Sequence, residues 1–300
     1  MAQTEEAQTD LTSAVTEATQ KHIVDILIEE RAPKISQGPL WRYVRPPLYT
    51  ALHYKQARKM ADDIAPMSGH HAMEYISELL RLKVIIRGLN RVPRDGRIVV
   101  VANHPTGIAD GVAVYDGLKT IRPDVCFFAN ADAHRVCPSF IDCLIPVEWV
   151  LDKRSHEKTK LTLRMASQAF KDERALMIFP AGRLARRFDG VIQDPTWEAS
   201  AVSLARKNKA PVIPINVKGP YPIYFHGFDR VSKELRDITL FHELLNKTGQ
   251  TYTLTVGPPI PHEALSGDSA EMSQRLKIYV ERELGNNRDA AFEPARYAGD

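Results

Sequence analysis

The rhythm of apolar positions changes near residue 82. Upstream, from Lys21 to Leu82, apolar residues recur at helical spacing in "HIVDILIEE" and in "HHAMEYISELLRL", where Met73, Ile76, Leu79 and Leu80 share one face. Between these lies "GPLWRYVRPPLYTALHYKQARKM", aromatic and basic, interrupted by Pro46 and Pro47. Downstream, short apolar runs alternate with helical patterns: "RIVVVAN", "DVCFFANA", "CLIPVEWV", "ALMIFPAG", "PVIPINVKG" and "TYTLTVG". Strands covered on both faces read as unbroken apolar runs, so the pattern predicts an α/β fold. The expected architecture is a central mixed, largely parallel sheet flanked by helices, with an N-terminal helical element packed onto it. The polar ends read as solvated tails, which divides the chain into 1–18, 19–82, 83–284 and 285–300.

Composition narrows the partners. In 300 residues, 40 Lys and Arg oppose 37 Asp and Glu, a balance that argues against a dedicated nucleic-acid binder. Cys126, Cys137 and Cys143 lack paired spacing and sit in or beside apolar segments, which reads as reduced structural thiols. The N-terminus, "MAQTEEAQTDLTSAV", has neither the basic nor the apolar region of a secretory signal, so a cytoplasmic protein is expected. No window reaches the roughly 18–20 apolar residues of a membrane span, so any membrane contact is expected to be peripheral. Oligomeric state is not legible.

The candidate chemistry sits where strands end. His104 follows "RIVVVAN", and Asp110 follows it with five residues between, near the start of a helix. In open α/β sheets ligands collect at the carboxyl ends of strands, and a carboxylate at this distance can fix a histidine tautomer. Pro105 and Gly107 shape the turn; Gly111 and Asn103 flank it. Each piece also has a plain structural account, Asp110 as a helix cap and His104 as a hydrogen-bonded strand-end residue. A second run, "LMIFPAGRLARRFDG", ends at Phe179 and turns through Pro180, Ala181 and Gly182 into Arg183, Arg186 and Arg187, offering main-chain N–H groups and guanidinium forks to an anion. A third, "APVIPINVKGP", ends at Lys218 and Gly219. No G-x-S-x-G elbow or P-loop is present, and "FHELLN" has Asn246 where a zincin would need its second histidine. His70 and His71 fit no ligand spacing, and no metal site is expected.

In order and separation these motifs resemble the glycerolipid acyltransferase superfamily, whose general pattern is a histidine and aspartate separated by four residues, then Phe-Pro-Glu-Gly, then a Val-Pro-Val-like strand. Here "NHPTGIADG" has five intervening residues and "FPAG" has Ala181 for glutamate, both similar to the hemolysin-like branch that includes lyso-ornithine-lipid acyltransferases. "LIEERAPK" is also similar to that branch, and the likeness runs from about Ile23 to Leu265. Arg183 departs from the acidic residue expected there.

The resemblance implies acyl transfer from a thioester, acyl-CoA or acyl carrier protein, to a lysophospholipid or related glycerolipid, with no tightly bound cofactor. His104 would be the general base and Asp110 its orienting carboxylate. Asn103, Pro105, Gly107, Gly111, Phe179, Pro180, Ala181, Gly182, Arg183 and Arg186 would line the substrates. Arg183 would favour an anionic head group over a cationic one. Lys153 and Arg154, with Lys158 and Lys160, would meet phosphates of coenzyme A or the acidic carrier protein, or else form a solvated helix face. Trp41, Tyr43, Leu48 and Tyr49, among Arg42, Arg45, Lys55, Arg58 and Lys59, either face a lipid surface on the cytoplasmic side or pack into the core. Trp197 and Glu198 read as packing and cap residues. A catalytically silent lipid-binding protein on the same scaffold is the alternative, which thioester turnover would distinguish.

Overall fold

The computed structural model of the chain describes residues 21–148, 155–188 and 190–297. Helices Ile23–Arg31, Pro33–Ser36, Trp41–Ala51, Tyr54–Ile64 and Gly69–Leu80 come first. The Ser68 hydroxyl accepts the His71 N–H to start the last of these, and Arg81 in the left-handed conformation ends it. Pro46 and Pro47, read as an interruption, lie inside Trp41–Ala51. The carbonyls of Arg42 and Tyr43 lose their helical donors there, on a stretch whose residues are exposed and can use water.

The central sheet holds strands β1 (Lys83–Arg87), β2 (Ile98–Ala102), β3 (Cys126–Asn130), β4 (Leu144–Val147), β5 (Ala175–Ile178), β8 (Val212–Lys218) and β9 (Thr251–Val256). Their order is β1-β9-β8-β2-β5-β3-β4, and every pairing is parallel except β8 with β9. Strands β6 (Arg186–Phe188) and β7 (Val191–Gln193) form a separate antiparallel hairpin.

Alternation along each strand divides the core into two layers. Ile98, Val100 and Ala102 of β2, Met177 of β5 and Ile213, Ile215 and Val217 of β8 join the N-terminal helices and helix Ile108–Leu118 on one face. Val99, Val101, Leu176 and Ile178 join helices His156–Lys171, Ser200–Lys207 and Ser269–Ile278 on the other. The N-terminal helices therefore share a core with the sheet. The connection leaving β2 crosses one face and the connection leaving β5, its neighbour, crosses the other. Such a divergence opens a crevice at the strands' carboxyl ends.

Residues 285–297, expected as a solvated tail, are packed. Ala290 and Tyr297 are buried, Phe292 stacks on Tyr297, and the Tyr297 hydroxyl bonds Glu283. Three well-spaced apolar side chains in a polar segment suffice to seat it against Tyr279. Among the described residues, no helix is long and apolar enough to cross a membrane. The three cysteines are free and buried.

Candidate active site

Strand β2 delivers its last residues into the crevice between β5 and β8. Asn103 clamps β8 with its side chain: Nδ2 donates to the Val217 carbonyl (3.0 Å) and Oδ1 accepts the Val217 N–H (2.7 Å). The next residue, His104, is held at both ends of its backbone. Its N–H donates to Asp194 and its carbonyl accepts the Ala185 N–H at 2.9 Å.

The His104 ring is fixed as tightly. Nδ1 lies 2.9 Å from Oδ2 of Asp110, and the ring stacks on Phe179 at 4.3 Å between centroids. Asp110, the third residue of helix Ile108–Leu118, is fully buried. Its Oδ2 also accepts the N–H groups of Thr106 (2.9 Å) and Gly107 (3.0 Å), and its Oδ1 accepts the Thr106 hydroxyl (2.6 Å). Thr106 Oγ1 is in turn 2.7 Å from the Tyr252 hydroxyl on β9. These donors turn Oδ2 toward the ring as an acceptor, so Nδ1 carries a proton and Nε2 is left as the basic edge. Gly107 makes the turn possible. Its φ is +103°, and a Cβ there would sit 2.9 Å from Leu184 Cδ2.

The structure thus joins the first two motifs: Phe179 covers the ring, Leu184 abuts Gly107, and Ala185 bonds the His104 carbonyl. Pro180 accepts the Glu198 N–H, Gly182 closes a turn onto the Phe179 carbonyl, and Ala181 is buried in the second core layer. Gly111 lies against Phe179. Arg183 is exposed. Arg186 is half-buried at the start of β6, its Nε buried without a protein partner, and burial together with nearby Arg236 lowers its pKa. Lys153 and Arg154 lie outside the described residues. Pro105 is half-buried beside His104. Among the described residues no group of three or more His, Cys, Asp or Glu side chains could hold a metal.

Residues 83–218, the stretch that carries all of these contacts but the one to Tyr252, match the family model described as Acyltransferase. Over that stretch the chain is similar to the acyltransferase family. Curated relatives of the acyltransferase span nearly its full length. It is 27% identical over 274 residues to the lyso-glycine lipid O-acyltransferase of Phocaeicola vulgatus, covering 86% of this chain and 94% of the relative. It is 26% identical over 273 residues to the protein of the same name from Bacteroides thetaiotaomicron, covering 86% and 95%. Among solved structures, the crystal structure of the 1-acyl-sn-glycerophosphate (LPA) acyltransferase PlsC from Thermotoga maritima aligns with a TM-score of 0.47 at 15% identity, over 89% of this chain and 98% of that one. The acyltransferase is an enzyme of acyl transfer to lipid.

Sequence reasoning missed three contributors to the site. Thr106 lies inside the quoted motif, but its contact with Tyr252 crosses from β2 to β9. Asp194 sits in a polar segment without periodicity and Glu281 on the polar side of a helical one, and only the fold brings Asp194 to the His104 N–H and Glu281 to the Asp194 N–H, at 2.7 Å. The short spacing "DPTW", which puts Trp197 Nε1 2.9 Å from Asp194, was the one local signal.

Proposed function

We propose that this acyltransferase moves a fatty acyl group from a thioester donor, acyl-CoA or acyl carrier protein, to the hydroxyl of a lyso-lipid with an anionic head group. The observation that carries the proposal is the His104–Asp110 pair, a 2.9 Å contact in which the buried carboxylate is locked by three further hydrogen bonds. A thioester carbonyl is already activated, so the reaction needs a base and charge stabilisation and no enzyme nucleophile. His104 Nε2 takes the acceptor proton as the hydroxyl oxygen bonds to the acyl carbon. Asp110 stabilises the imidazolium, which returns the proton as the carrier thiolate leaves.

The head group is read by Arg183 and Arg186. Arg186 is suited to this because its buried Nε has no protein partner, and a guanidinium in that condition gains most from a carboxylate or phosphate. A lyso-glycine lipid, after the relatives' names, and a lysophosphatidic acid are the acceptors to try first. The acceptor arrives from a membrane on the cytoplasmic side. Exposed apolar residues follow the carboxyl ends of the strands that bear the site: Ile108 after β2, Phe188 and Val191 after β5, and Tyr221, Ile223, Tyr224 and Val231 after β8, with Ile223 68% and Val231 78% exposed. Exposed apolar side chains suit a lipid surface, and the exposed Arg183 and Arg187 next to Phe188 in the chain suit an anionic one. Of the aromatic segment, Trp41 is buried and Tyr49 half-buried, whereas Tyr43 is exposed under the Arg42 guanidinium.

The test is thioester turnover by the purified protein with each acceptor in mixed vesicles, the lipid product identified by mass spectrometry. A folded His104→Ala variant is expected to lose roughly 10²–10⁴-fold in kcat. Near-normal turnover by that variant would overturn the mechanism. Preference for a cationic lyso-lipid would overturn the head-group assignment.

A further inference from the structure

A buried carboxyl group that the mechanism does not use lies directly behind His104. Asp194, just after β7, is 1% exposed. Its two oxygens accept the His104 main-chain N–H at 3.1 and 3.2 Å, and Oδ2 also accepts the Trp197 indole N–H at 2.9 Å. Its own N–H donates to Glu281 Oε1 at 2.7 Å, from the π-helical turn Tyr279–Leu284. The other Glu281 oxygen is 3.4 Å from Lys277 Nζ, and Arg282 adds a second positive charge near that glutamate. His104, Trp197, Glu281, Lys277 and Arg282 are thus the charged and hydrogen-bonding groups around Asp194.

Holding a peptide N–H does not require a charge, and a charge here is costly. Burial first and Glu281 second push the Asp194 pKa up to about 7, against the pull of the Trp197 and His104 donors. What the charge supplies is a stronger acceptor for the N–H of the residue that bears the imidazole, and a negative neighbour for that imidazole once protonated. With the Ala185 N–H on the His104 carbonyl, the backbone of the base is pinned from both sides.

We propose that Asp194 is a positioning residue for acyl transfer, anchoring the His104 main chain through its carboxylate, and that Glu281, which accepts the Asp194 N–H, holds that anchor in place. The inference rests on His104 being the base. Both groups that donate to the Asp194 carboxylate are N–H groups, so a proton added to it leaves one neutral carbonyl oxygen to serve both, weakens the bond to the His104 N–H and turns an O–H toward donors. The main chain of His104 then loosens and the imidazolium loses a counter-charge. On the acid side, turnover is quenched by two protonations, one on the His104 ring and one on Asp194.

The test is the pH–rate profile of the full-length protein and its Asp194→Asn, Glu281→Gln and His104→Ala variants, each checked for folding by circular dichroism. The acid limb of log kcat/KM in the unsubstituted protein is expected to steepen toward a slope of 2. Asp194→Asn should lower kcat roughly 10–100-fold, as misplacement of a catalytic group by a fraction of an ångström does, with the donor KM little changed and an acid limb of slope 1. Glu281→Gln keeps an acceptor for the Asp194 N–H and removes the charge, so the acid-side midpoint should move to lower pH. A folded Asp194→Asn with unchanged kcat and slope, or an unmoved midpoint in Glu281→Gln, would overturn the proposal. If Asp194→Asn does not fold, the Glu281→Gln profile decides. Turnover surviving in His104→Ala would defeat the base assignment and this inference with it, whereas turnover lost there but intact in Asp194→Asn defeats only the anchor.

Discussion

Asp110→Asn separates two jobs of the orienting carboxylate, aiming the ring and supplying charge. An asparagine could in principle turn its NH₂ toward His104 and reverse the tautomer, leaving Nε2 protonated and useless as a base. The surroundings forbid this. The position facing the ring also faces the N–H groups of Thr106 and Gly107, so an NH₂ there would meet two main-chain donors even with the tautomer reversed. The amide oxygen must take that place and the nitrogen must face Thr106 Oγ1, which can accept while donating to Tyr252. The tautomer is therefore preserved and only the charge is lost. A hydrogen bond to a charged group contributes about 1.5–3 kcal/mol against about 0.5–1.5 for a neutral one. The imidazolium thus loses about 1–2 kcal/mol, or roughly 5–30-fold in kcat. The assay is release of the carrier thiol at saturating donor and acceptor, with the circular dichroism spectrum as the control for folding. Asp110→Asn as inactive as His104→Ala, in folded protein, would refute the reasoning, because it would mean that the amide had turned.

Other outcomes follow from the same geometry. Gly107→Ala, forced to a φ of +103° and against Leu184, should cost about 1–3 kcal/mol in denaturant unfolding and lower kcat, because the same turn donates to Asp110. Lys247→Met leaves the buried Glu243 without its 2.8 Å ion partner, and the unfolding free energy should fall by about 3–5 kcal/mol. Asp194 ionises near 7 in the fold and near 4 in an unfolded chain, so the folded state binds the extra proton between those values. The stability it contributes is present below about pH 4 and lost as pH rises to about 7, a swing on the order of 4 kcal/mol that Asp194→Asn should remove from the pH dependence of unfolding. Ile223→Asp with Val231→Asp should reduce co-sedimentation with anionic vesicles while sparing turnover of detergent-dispersed acceptor, and equal sedimentation would disprove the docking face.

What the sequence revealed depended on how local each relation was. Strands β2, β5 and β8 announced themselves because both faces are covered, which makes nearly every position apolar. The His104–Asp110 pair was legible because one turn of chain contains it. Strand β1 was not, since "KVIIR" at the sheet edge alternates between exposed and half-buried and follows a helix closely. The β6–β7 hairpin was hidden because its strands are only three residues long and the first is mostly arginine. Asp194 left only the short spacing to Trp197 and Glu281 left none, for their role is set by the depth at which the fold buries them.

The pairing of β1 with β9 also bears on how the chain assembles. Strand β1 is synthesised early, yet its one partner in the sheet arrives only with residues 251–256, after every other strand has been made. Until then β1 has no ladder to join and the outer edge of β8 stands open, so closure must wait for contacts between distant parts of the chain. The stretch 83–218 contains the His104–Asp110 pair but not β9. Cut out on its own, it would present two unpaired edges, and edges of that kind recruit neighbouring chains. The last strand is what turns a set of sticky parts into a finished sheet.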